Sequence, residues 1–275
     1  MPIVTLTSDL GKDTHLVAKA KMQLLEKLPQ ATVLDISHSV APFAIDEAVY
    51  LAASCINDFP QGTLHLIAVD MDVEKYGRLL ACQFKGQLFV AADNGFLALL
   101  TKGEEATYYE IPFEADENSN FAPLKYILIP TAIQLIQKGL EAIGKPVNDI
   151  LEKTLERPFV MAGKSLRGHI VYVNNYGNAV TNITRDMFDT ERAGRNFEIV
   201  LNRFDSINTI STSYNTVEEG DCLCFFNENG WLEIAVNRGE ASQLLGLEKG
   251  KRITIDFFDA QATQTTVKTG GLFIN

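Results

Sequence analysis

Residues 3–28 read IVTLTSDLGKDTHLVAKAKMQLLEKL, and this stretch decides the class of fold. Its first part, IVTLTS, is β-rich and mostly apolar, as a buried strand is. The chain then passes Asp9 and Gly11 and enters a segment whose apolar residues recur at helical spacing, for which Thr14 is a suitable N-cap. A strand that leads through a short turn into an amphipathic helix is typical of an α/β unit.

The alternation of strand and helix continues as far as residue 70. ATVLDIS (31–37) and TLHLIAVD (63–70) are apolar, strand-like runs, and IDEAVYLAASCINDF (45–59) between them has helical spacing. This order predicts a largely parallel sheet covered by helices. Further predicted elements are β-runs at 79–86 and 87–93, a short helix at 95–102, a polar loop at 115–123, and a helix at 124–140 that Pro130 should start or kink.

From about residue 167 the pattern changes to short β-runs separated by turn residues. The runs occupy 168–183, 197–202, 221–237 and 252–258, and helical spacing recurs only around 240–246. This pattern predicts an antiparallel barrel or sandwich. Because residues 141–166 contain several Gly and Pro residues, we take them as a connection between domains. The predicted organisation is an α/β domain over 1–160 and an all-β antiparallel barrel over 161–275.

Composition sets limits on the function. The formal net charge is −11 and the sequence pI is about 4.9, which disfavours nucleic-acid binding because an acidic surface repels phosphates. The chain begins with a strand pattern rather than a leader and has no apolar run of about 20 residues, so we expect a cytoplasmic protein without membrane contact. The four cysteines lack metal-ligand spacing, which predicts reduced thiols and no metal site.

Three polar residues follow predicted strands of the first domain, at the sheet edge where α/β proteins bind ligands. Asp9 could accept hydrogen bonds from the adjacent 2′ and 3′ hydroxyls of a ribose, or it could only brace a turn before glycine. Asp70 could polarise water or contact a sugar, or it could be a solvated loop carboxylate. Asn94 lies in Asp-Asn-Gly, a sequence typical of a tight turn.

Two residues of the second domain have the chemistry to hold a purine. Asn178 offers donor and acceptor atoms, as an adenine edge requires, although a Gly-Asn hairpin turn is the simpler explanation. Tyr214 could stack on a purine or belong to the core. The four histidines are scattered, and we expect core or surface positions for them, although His38 follows a strand and could face a site.

Five segments of the chain, in order, match one set of motifs. In the first domain, an opening T-D-F-G segment is matched by TLTSDLG (5–11), and D-I-T-H-x-[IV]-x-P-[FW]-[DN]-[IV]-x-E-[AG] is matched by VLDISHSVAPFAIDEA (33–48). The motif P-D-N-G-L-L is matched by AADNGFL (91–97). In the second domain, Y-I-D-x-F-G-N-x-x-T-N-I is matched by YVNNYGNAVTNI (172–183), and N-S-x-G-x-L-E-I-A-V-N-x-G-x-A followed by L-G-L-x-x-G is matched by NENGWLEIAVNRGEASQLLGLEKG (227–250). Together they resemble the S-adenosylmethionine (SAM) hydroxide adenosyltransferases, a family that also contains the fluorinases and chlorinases.

The resemblance implies an N-terminal α/β domain, a C-terminal antiparallel barrel, and a homotrimer that binds its ligand between the N-domain of one subunit and the C-domain of its neighbour. It implies SAM as the substrate and no cofactor. By position, Asp9 would hold the ribose, Phe43 would pack near the ribose and methionine, Asn178 would read adenine and Tyr214 would stack on it. The other matched binding positions are Asn94, then Val236, Asn237 and Arg238 beside the adenine, then Asn174, Glu228 and Asn229 near the methionine.

The chain departs from the family in the residues that position and activate water. The family's set is Asp, Arg and His, of which the Asp is matched by Asp70 in VDMDVEKYGR. Gly77 occupies the Arg position, with Arg78 one residue later. In the segment F-H-G-R-D-x-F-A-P, Pro123 or a neighbour falls at the His position.

Two interpretations of the function remain. In the leading one, the chain transfers the adenosyl group of SAM to water or hydroxide, giving adenosine and methionine, with Asp70 as the retained catalytic residue. In the other, the chain is a catalytically weak or inactive protein that binds adenosine or SAM. The missing Arg and His favour the second. At the methionine end, Asn174 in place of Asp weakens attraction for the ammonium group, and Glu228 in place of Ser puts like charge near the carboxylate. Fluorinase or chlorinase activity is not expected, because no halide pocket is recognisable.

Overall fold

The structure is a computed structural model, and it describes residues 1–202 and 205–259. The chain forms two compact units, of which the first is Met1–Glu156 and the second starts at Arg157. The strands of the first unit are β1 (Ile3–Ser8), β2 (Thr32–Ser37), β3 (Leu64–Ala68), β4 (Leu79–Phe84), β5 (Gln87–Ala92), β6 (Thr107–Ile111) and β7 (Lys145–Val147). Its helices are α1 (His15–Lys27), α2 (Ile45–Cys55), α3 (Val73–Tyr76), α4 (Phe96–Leu100), α5 (Glu117–Phe121), α6 (Ile129–Lys138) and α7 (Leu140–Ile143), with a 3₁₀ turn at Ile56–Asp58 and a π-turn at Leu124–Leu128.

The strands of the first unit form one mixed sheet in the order β2-β1-β3-β5-β4-β6-β7. β1 pairs in parallel with β2 and β3, β3 pairs in parallel with β5, and the remaining pairs are antiparallel. At the carboxyl edge, Ser8 of β1 lies opposite Ala68 of β3. The residues that leave these two strands, Asp9 and Asp70, are therefore brought close together.

Both faces of this sheet are covered by apolar helix surfaces. On one face Leu6 and Leu66 pack in a cluster with Leu24 of α1, while on the other Ile67 packs in a cluster with Ala48 of α2. All of these side chains are almost completely buried. Burial of each large aliphatic side chain contributes roughly 2 kcal/mol, so the sheet edge that carries the polar residues rests on a well-packed base.

Two predicted features of the helices are present in the structure. The Thr14 hydroxyl accepts a hydrogen bond from the Leu16 N–H at 3.2 Å and caps α1. Pro130 lies in the first turn of α6, directly after the π-turn, where its missing N–H is tolerated.

Residues 115–123 were predicted to be a loop, and this prediction is wrong. They contain α5, which begins with a capping box: the Asp116 carboxylate accepts the Ser119 N–H, and the Ser119 hydroxyl accepts the Asp116 N–H. The segment ADENSNFAP has little apolar periodicity, so the cap rather than the pattern was the available signal.

The predicted connection at 141–166 is also partly wrong. β7 lies inside it and pairs antiparallel with β6, so that residues 145–147 complete the first sheet as its edge strand. A three-residue strand that contains Pro146 has almost no β-signal of its own, and Pro is tolerated there because the strand is at an edge.

The second unit is a nearly closed antiparallel sheet that resembles a barrel. Its strands are β8 (Phe159–Met161), β9 (Ser165–Val173), β10 (Ala179–Thr184), β11 (Asn196–Val200), β12 (Ser206–Ile207), β13 (Cys222–Phe226), β14 (Trp231–Val236) and β15 (Arg252–Phe258), in the order β12-β11-β15-β9-β10-β14-β13 with β8 beside β9. A bridge between Ile210 and Cys224 links the segment after β12 to β13, at the other end of this order. The predicted fold class, a largely parallel α/β domain followed by an antiparallel β-barrel, is confirmed.

Two helices accompany the barrel, α8 (Arg185–Arg192) and α9 (Ala241–Leu244). Helical spacing was expected only around 240–246, so α8 is a correction. Its sequence, RDMFDTER, is almost wholly polar and buries Phe188 alone, while the Thr184 hydroxyl caps it by accepting the Met187 N–H. In the described parts of the chain, no helix is long and apolar enough to cross a membrane.

Candidate functional site

The first unit carries a cavity of about 450 Å³ at the carboxyl edge of β1 and β3. Its walls come from the segments after β1 and β3, the segment before α2, and the segment that joins α5 to the π-turn. The lining residues are Asp9, Leu10, Leu16, Phe43, Ala68, Asp70, Met71, Asp72, Val73, Glu74, Asn120, Phe121, Ala122, Pro123, Leu124 and Lys125. Three predicted site residues, Asp9, Phe43 and Asp70, therefore share one cavity.

Asp9 holds two neighbouring segments with one carboxylate oxygen. Its Oδ2 accepts the Phe43 N–H at 3.0 Å and the Asp70 N–H at 3.2 Å. Phe43 and Asp70 both have positive φ, 64° and 47°, a conformation that residues with a side chain adopt rarely. The strain is sustained because both N–H groups are directed to one charged acceptor.

Asp70 is held by its backbone and by its side chain. Its carbonyl oxygen accepts from the Asn94 amide at 3.2 Å, and its Oδ2 accepts the Tyr76 hydroxyl at 2.5 Å. Burial and the hydrogen bond to Asp70 raise the pKa of Tyr76, so the phenol remains a protonated donor at neutral pH. Asn94 also donates to the Val69 carbonyl and is almost completely buried, so it lies behind the Asp70 segment rather than in the cavity wall.

Arg78 is bound by residues other than Asp70. Its guanidinium is bound by three carboxylates, Asp93 at 3.3 Å, Glu110 at 3.2 Å and Asp149 at 3.4 Å, and it also donates to the Asp149 carbonyl at 2.8 Å. These contacts join the start of β4 to the ends of β5 and β6 and to the chain beyond β7. The Arg78 side chain, next to the position of the missing Arg, is therefore bound to residues of the sheet and of the chain beyond it.

The segment in which the family has its His ends in the wall of the first cavity. Phe121, Ala122 and Pro123 line the cavity and match the F-A-P end of F-H-G-R-D-x-F-A-P, and counting back from this end along the motif gives Asp116 for the His position. The Asp116 carboxylate is used to cap α5, and its pKa is lowered mainly by the hydrogen bond from the Ser119 N–H. It is not in the cavity wall.

The first cavity is acidic and bordered by aromatic rings. Its lining includes four carboxylates, Asp9, Asp70, Asp72 and Glu74, and a single cationic side chain, Lys125. The Phe43 and Phe121 side chains are strongly exposed, at 72% and 86%. Among the described residues, no group of three or more His, Cys, Asp or Glu side chains is arranged to hold a metal ion.

The second unit carries a cavity of about 640 Å³ formed by the β9–β10 turn, the 3₁₀ turn at Tyr214–Thr216 and the end of β14. Its lining residues are Asn175, Tyr176, Asn178, Tyr214, Val236, Asn237, Arg238, Gly239 and Glu240. Five predicted binding residues lie in this wall, namely Asn178, Tyr214, Val236, Asn237 and Arg238. Tyr176 is 77% exposed at its edge.

Asn178 is fixed from behind by a buried carboxylate. Its Nδ2 donates to Glu233 Oε1 at 2.9 Å and to the Tyr214 hydroxyl at 2.9 Å. Because a carboxylate can only accept here, the nitrogen must face Glu233, and Oδ1 is the atom of this amide that can meet a ligand. Glu233, which is 6% exposed, also accepts from the amides of Asn174 and Asn227.

The turn that leads into Asn178 explains the Gly-Asn pair. Gly177 has φ +77°, and a Cβ there would lie 2.8 Å from the Glu240 Cβ. Asn174 closes the turn, since its Oδ1 accepts the N–H groups of Tyr176 at 2.9 Å and Asn178 at 3.1 Å. Both proposed uses of Asn178 therefore coexist, a hairpin position and a cavity wall.

Three predicted residues of the methionine end lie outside the wall of the second cavity. Asn174 is used by the turn and by Glu233, as described above. Glu228 and Asn229 are exposed in the turn between β13 and β14, where the Asn229 N–H bonds to the Asn227 side chain. Asn174 supports the second cavity only from behind, through the N–H groups of Tyr176 and Asn178, and the ligand roles of all three residues stay predictions.

Two residues that matter for these cavities were missed by sequence reasoning. Tyr76, which binds Asp70, lies in VDMDVEKYGR, the segment in which the chain departs from the family, and nothing in that segment singled it out. Glu233 is a charged residue within the apolar strand WLEIAV, and that pattern was the signal available for it.

The histidines include one clear core residue, His65, which is 1% exposed and bonded to Thr5 and Gln87. His38 is bonded to Ser8 and does not line the first cavity.

Fold and cavities define a two-domain protein in which an α/β unit and a barrel-like unit each present a polar, aromatic-edged cavity. The family model described as "SAM hydroxide adenosyltransferase N-terminal domain" matches residues 4–144, and its C-terminal counterpart matches residues 168–254. The chain belongs to the SAM hydroxide adenosyltransferase family, as the motifs predicted.

Relatives and solved structures agree with this membership. The chain is 26% identical to (R)-S-adenosyl-L-methionine hydrolase of Thermus thermophilus, covering 92% of this chain and 98% of the relative. It is 25% identical to a fluorinase of an Actinoplanes species, covering 92% and 97%. The crystal structure of a conserved protein from Thermotoga maritima, 28% identical, superposes with a TM-score of 0.80 and covers 93% of this chain and all of that one.

Proposed function

We propose that the protein cleaves SAM with water, giving adenosine and methionine. The observation that carries this proposal is the single carboxylate oxygen of Asp9 that binds both the Phe43 and the Asp70 N–H groups. It brings a ribose-type acceptor, an aromatic ring and a second carboxylate to one cavity. The names of the (R)-SAM hydrolase relatives support the reaction.

In this proposal the ligand is shared between two kinds of cavity. Asp9 binds the ribose hydroxyls with its other oxygen, and the exposed Phe43 ring covers the sugar. In the second cavity Asn178 Oδ1 accepts from the exocyclic amine of adenine, Tyr214 stacks on the base, and the backbone of Val236 and Arg238 lines it. We further propose a homotrimer in which the first cavity of one subunit meets the second cavity of its neighbour.

The reaction we propose is displacement at C5′ of the ribose. Water forms the new bond to carbon, the carbon–sulfur bond breaks with its electron pair going to sulfur, and one proton is released. Because the sulfonium is already a good leaving group, the protein's tasks are to align water with the carbon and to control its solvation. Asp70 accepts the proton or orients the water, and the acidic wall of the first cavity favours the cationic substrate.

A second candidate function is favoured by two observations, the commitment of Arg78 to three carboxylates and the use of Asp116 as a helix cap. Gly77 occupies the Arg position, the neighbouring Arg78 is bound by other carboxylates, and Asp116 is used as a helix cap. The chain would then be a protein that binds adenosine or SAM without turning it over.

One assay separates the two functions. The purified protein is incubated with SAM, adenosine and methionine are followed by chromatography, and adenosine binding is measured by calorimetry. The Asp70→Asn variant is the test of the chemistry, and Asp13→Asn, outside the cavity wall, is the matched charge control. If the wild-type protein and Asp13→Asn form adenosine and methionine and Asp70→Asn does not, the hydrolase function is supported. Binding without product supports the second function, and absence of both contradicts the two.

A further inference from the structure

Among the described residues, the one hydrogen bond to the side chain of Asp70 comes from Tyr76. We propose that Tyr76 is a positioning residue that holds the Asp70 carboxylate for the reaction, a contact that Gly77 at the Arg position, having no side chain, cannot make. This inference rests on the proposed SAM cleavage. The observation behind it is the 2.5 Å hydrogen bond from the Tyr76 hydroxyl to Asp70 Oδ2.

The local sequence is built to bring the two groups together. Asp72 caps α3 by accepting the Lys75 N–H at 2.9 Å, and Gly77 ends the helix at φ +67° with its N–H bonded to the Val73 carbonyl. This single helical turn carries Tyr76 back over the strand end from which Asp70 emerges. A residue other than glycine at position 77 would be strained, so the residue that ends this helix cannot easily also be an arginine.

Other candidates for the same task are excluded by their contacts. The Arg78 guanidinium is occupied by Asp93, Glu110 and Asp149. Asn94 fixes the carbonyl group of Asp70 but not its carboxylate. The two backbone contacts of Asp70 therefore set where the residue lies, and Tyr76 sets the direction of its carboxylate.

The hydrogen bond also decides which oxygen is free. Tyr76 occupies Oδ2, and since Asp70 lines the first cavity, Oδ1 is the oxygen that can meet a water molecule there. Lys75 reinforces the arrangement, because its ammonium lies 4.6 Å from the centre of the Tyr76 ring. The phenol itself is neutral, and Lys75, which carries the positive charge, does not line the cavity that must accept a sulfonium.

The test compares Tyr76→Phe with Tyr108→Phe, which removes a hydroxyl bonded to Thr101 and away from the cavity wall. We expect Tyr76→Phe to lower kcat by roughly ten- to a hundredfold, the effect of a misplaced reacting group, with KM for SAM and adenosine affinity unchanged. Tyr108→Phe should keep the wild-type kcat. Adenosine calorimetry on each variant confirms that the cavity is folded.

A double variant decides whether Tyr76 acts through Asp70. Asp70→Asn combined with Tyr76→Phe should be no slower than Asp70→Asn alone, since the two groups act as one unit. A further loss in the double variant, or a Tyr76→Phe enzyme with wild-type kcat, would overturn the inference while SAM cleavage stands. Absence of product from the wild-type protein would overturn both.

Discussion

At the scale of single residues, Asp9 has two tasks that fall on different oxygens of one carboxylate. Oδ2 accepts the N–H groups of Phe43 and Asp70, which leaves Oδ1 for a ligand. The sequence pattern left the choice open between a turn brace and a site residue. The structure explains why the choice was not decidable, because the same side chain braces the segments that form the cavity in which it lies.

The Asp9→Asn variant separates these tasks. The amide oxygen can still accept the two backbone N–H groups, but the NH₂ group then replaces the ligand-facing acceptor. We expect adenosine binding to weaken by about 1–3 kcal/mol, the value for a hydrogen bond to a charged group, with little change in thermal stability. Titration calorimetry measures this, with Asp13→Asn as the control. Equal affinity in the two variants would remove Asp9 from the ribose site.

Tyr76 and Glu233 mark the limit of prediction at this scale. Each contacts a predicted site residue: Tyr76 binds Asp70, and Glu233, 55 residues away in the sequence, orients Asn178. Such contacts depend on the final backbone path, namely a helical turn at residues 73–76 and a pair of antiparallel strands. Residue type and spacing do not specify them.

At the scale of secondary-structure elements, the Arg78 cluster fastens three strands of the first sheet. We expect Arg78→Ala to lower the free energy of unfolding by about 1–3 kcal/mol, because the largely buried Asp93 loses its cationic partner. The rate of SAM cleavage per folded molecule should not change, since Arg78 does not line the first cavity. Urea unfolding and the product assay measure the two effects. A stable but inactive Arg78→Ala variant would contradict this purely structural role and indicate that Arg78 takes part in activating water.

The core of β3 gives the protein a pH-dependent stability. Burial lowers the pKa of His65 to about 4, against 6.5 for a free imidazole. Between these values the unfolded chain binds the extra proton, so His65 stabilises the fold fully above pH 6.5 and progressively less as the pH falls towards 4. From about pH 7 to pH 5 we expect a loss of roughly 2 kcal/mol.

Urea midpoints at these two pH values test the assignment. A His65→Leu variant, whatever its absolute stability, should lack this part of the pH dependence because it has no proton to bind. If the variant and the wild type lose the same stability between the two pH values, another group is responsible.

Elements with a strong apolar period were predicted well, and polar ones were not. The strands around β1 and helices α1 and α2 follow from alternation and spacing, because each buries an apolar face. α8 buries only Phe188, and α5 is defined mainly by its Asp116 cap, so their formation depends on capping and on the units they pack against. β7 is a three-residue edge strand whose pairing with β6 no local pattern specifies.

At the scale of the whole molecule, the proposed trimer can be tested by complementation. An Asp9→Asn chain is defective in the first cavity and an Asn178→Ala chain in the second. If each site combines cavities from different subunits, mixed trimers regain sites in which both are intact, and co-expression should restore SAM cleavage that neither variant has alone. Light scattering should give three times the 30.4 kDa chain mass. A monomeric mass, or no restoration in mixed assemblies, would contradict the shared site.

The family could be recognised from sequence because its motifs are spread over both units, and the family models confirm it at residues 4–144 and 168–254. What the motifs could not supply is how the altered positions are used. Arg78 and Asp116 are engaged in contacts that stabilise the fold, while Tyr76 takes hold of Asp70. The chemistry therefore has to be measured directly.

The most direct measurement uses SAM in water enriched in heavy oxygen, with mass spectrometry of the products. The account predicts equal amounts of methionine and adenosine, with the heavy oxygen at the 5′ hydroxyl of the adenosine, and loss of both products in Asp70→Asn. Adenosine without the heavy oxygen, or no adenosine beyond that formed without protein, would contradict attack of water at C5′.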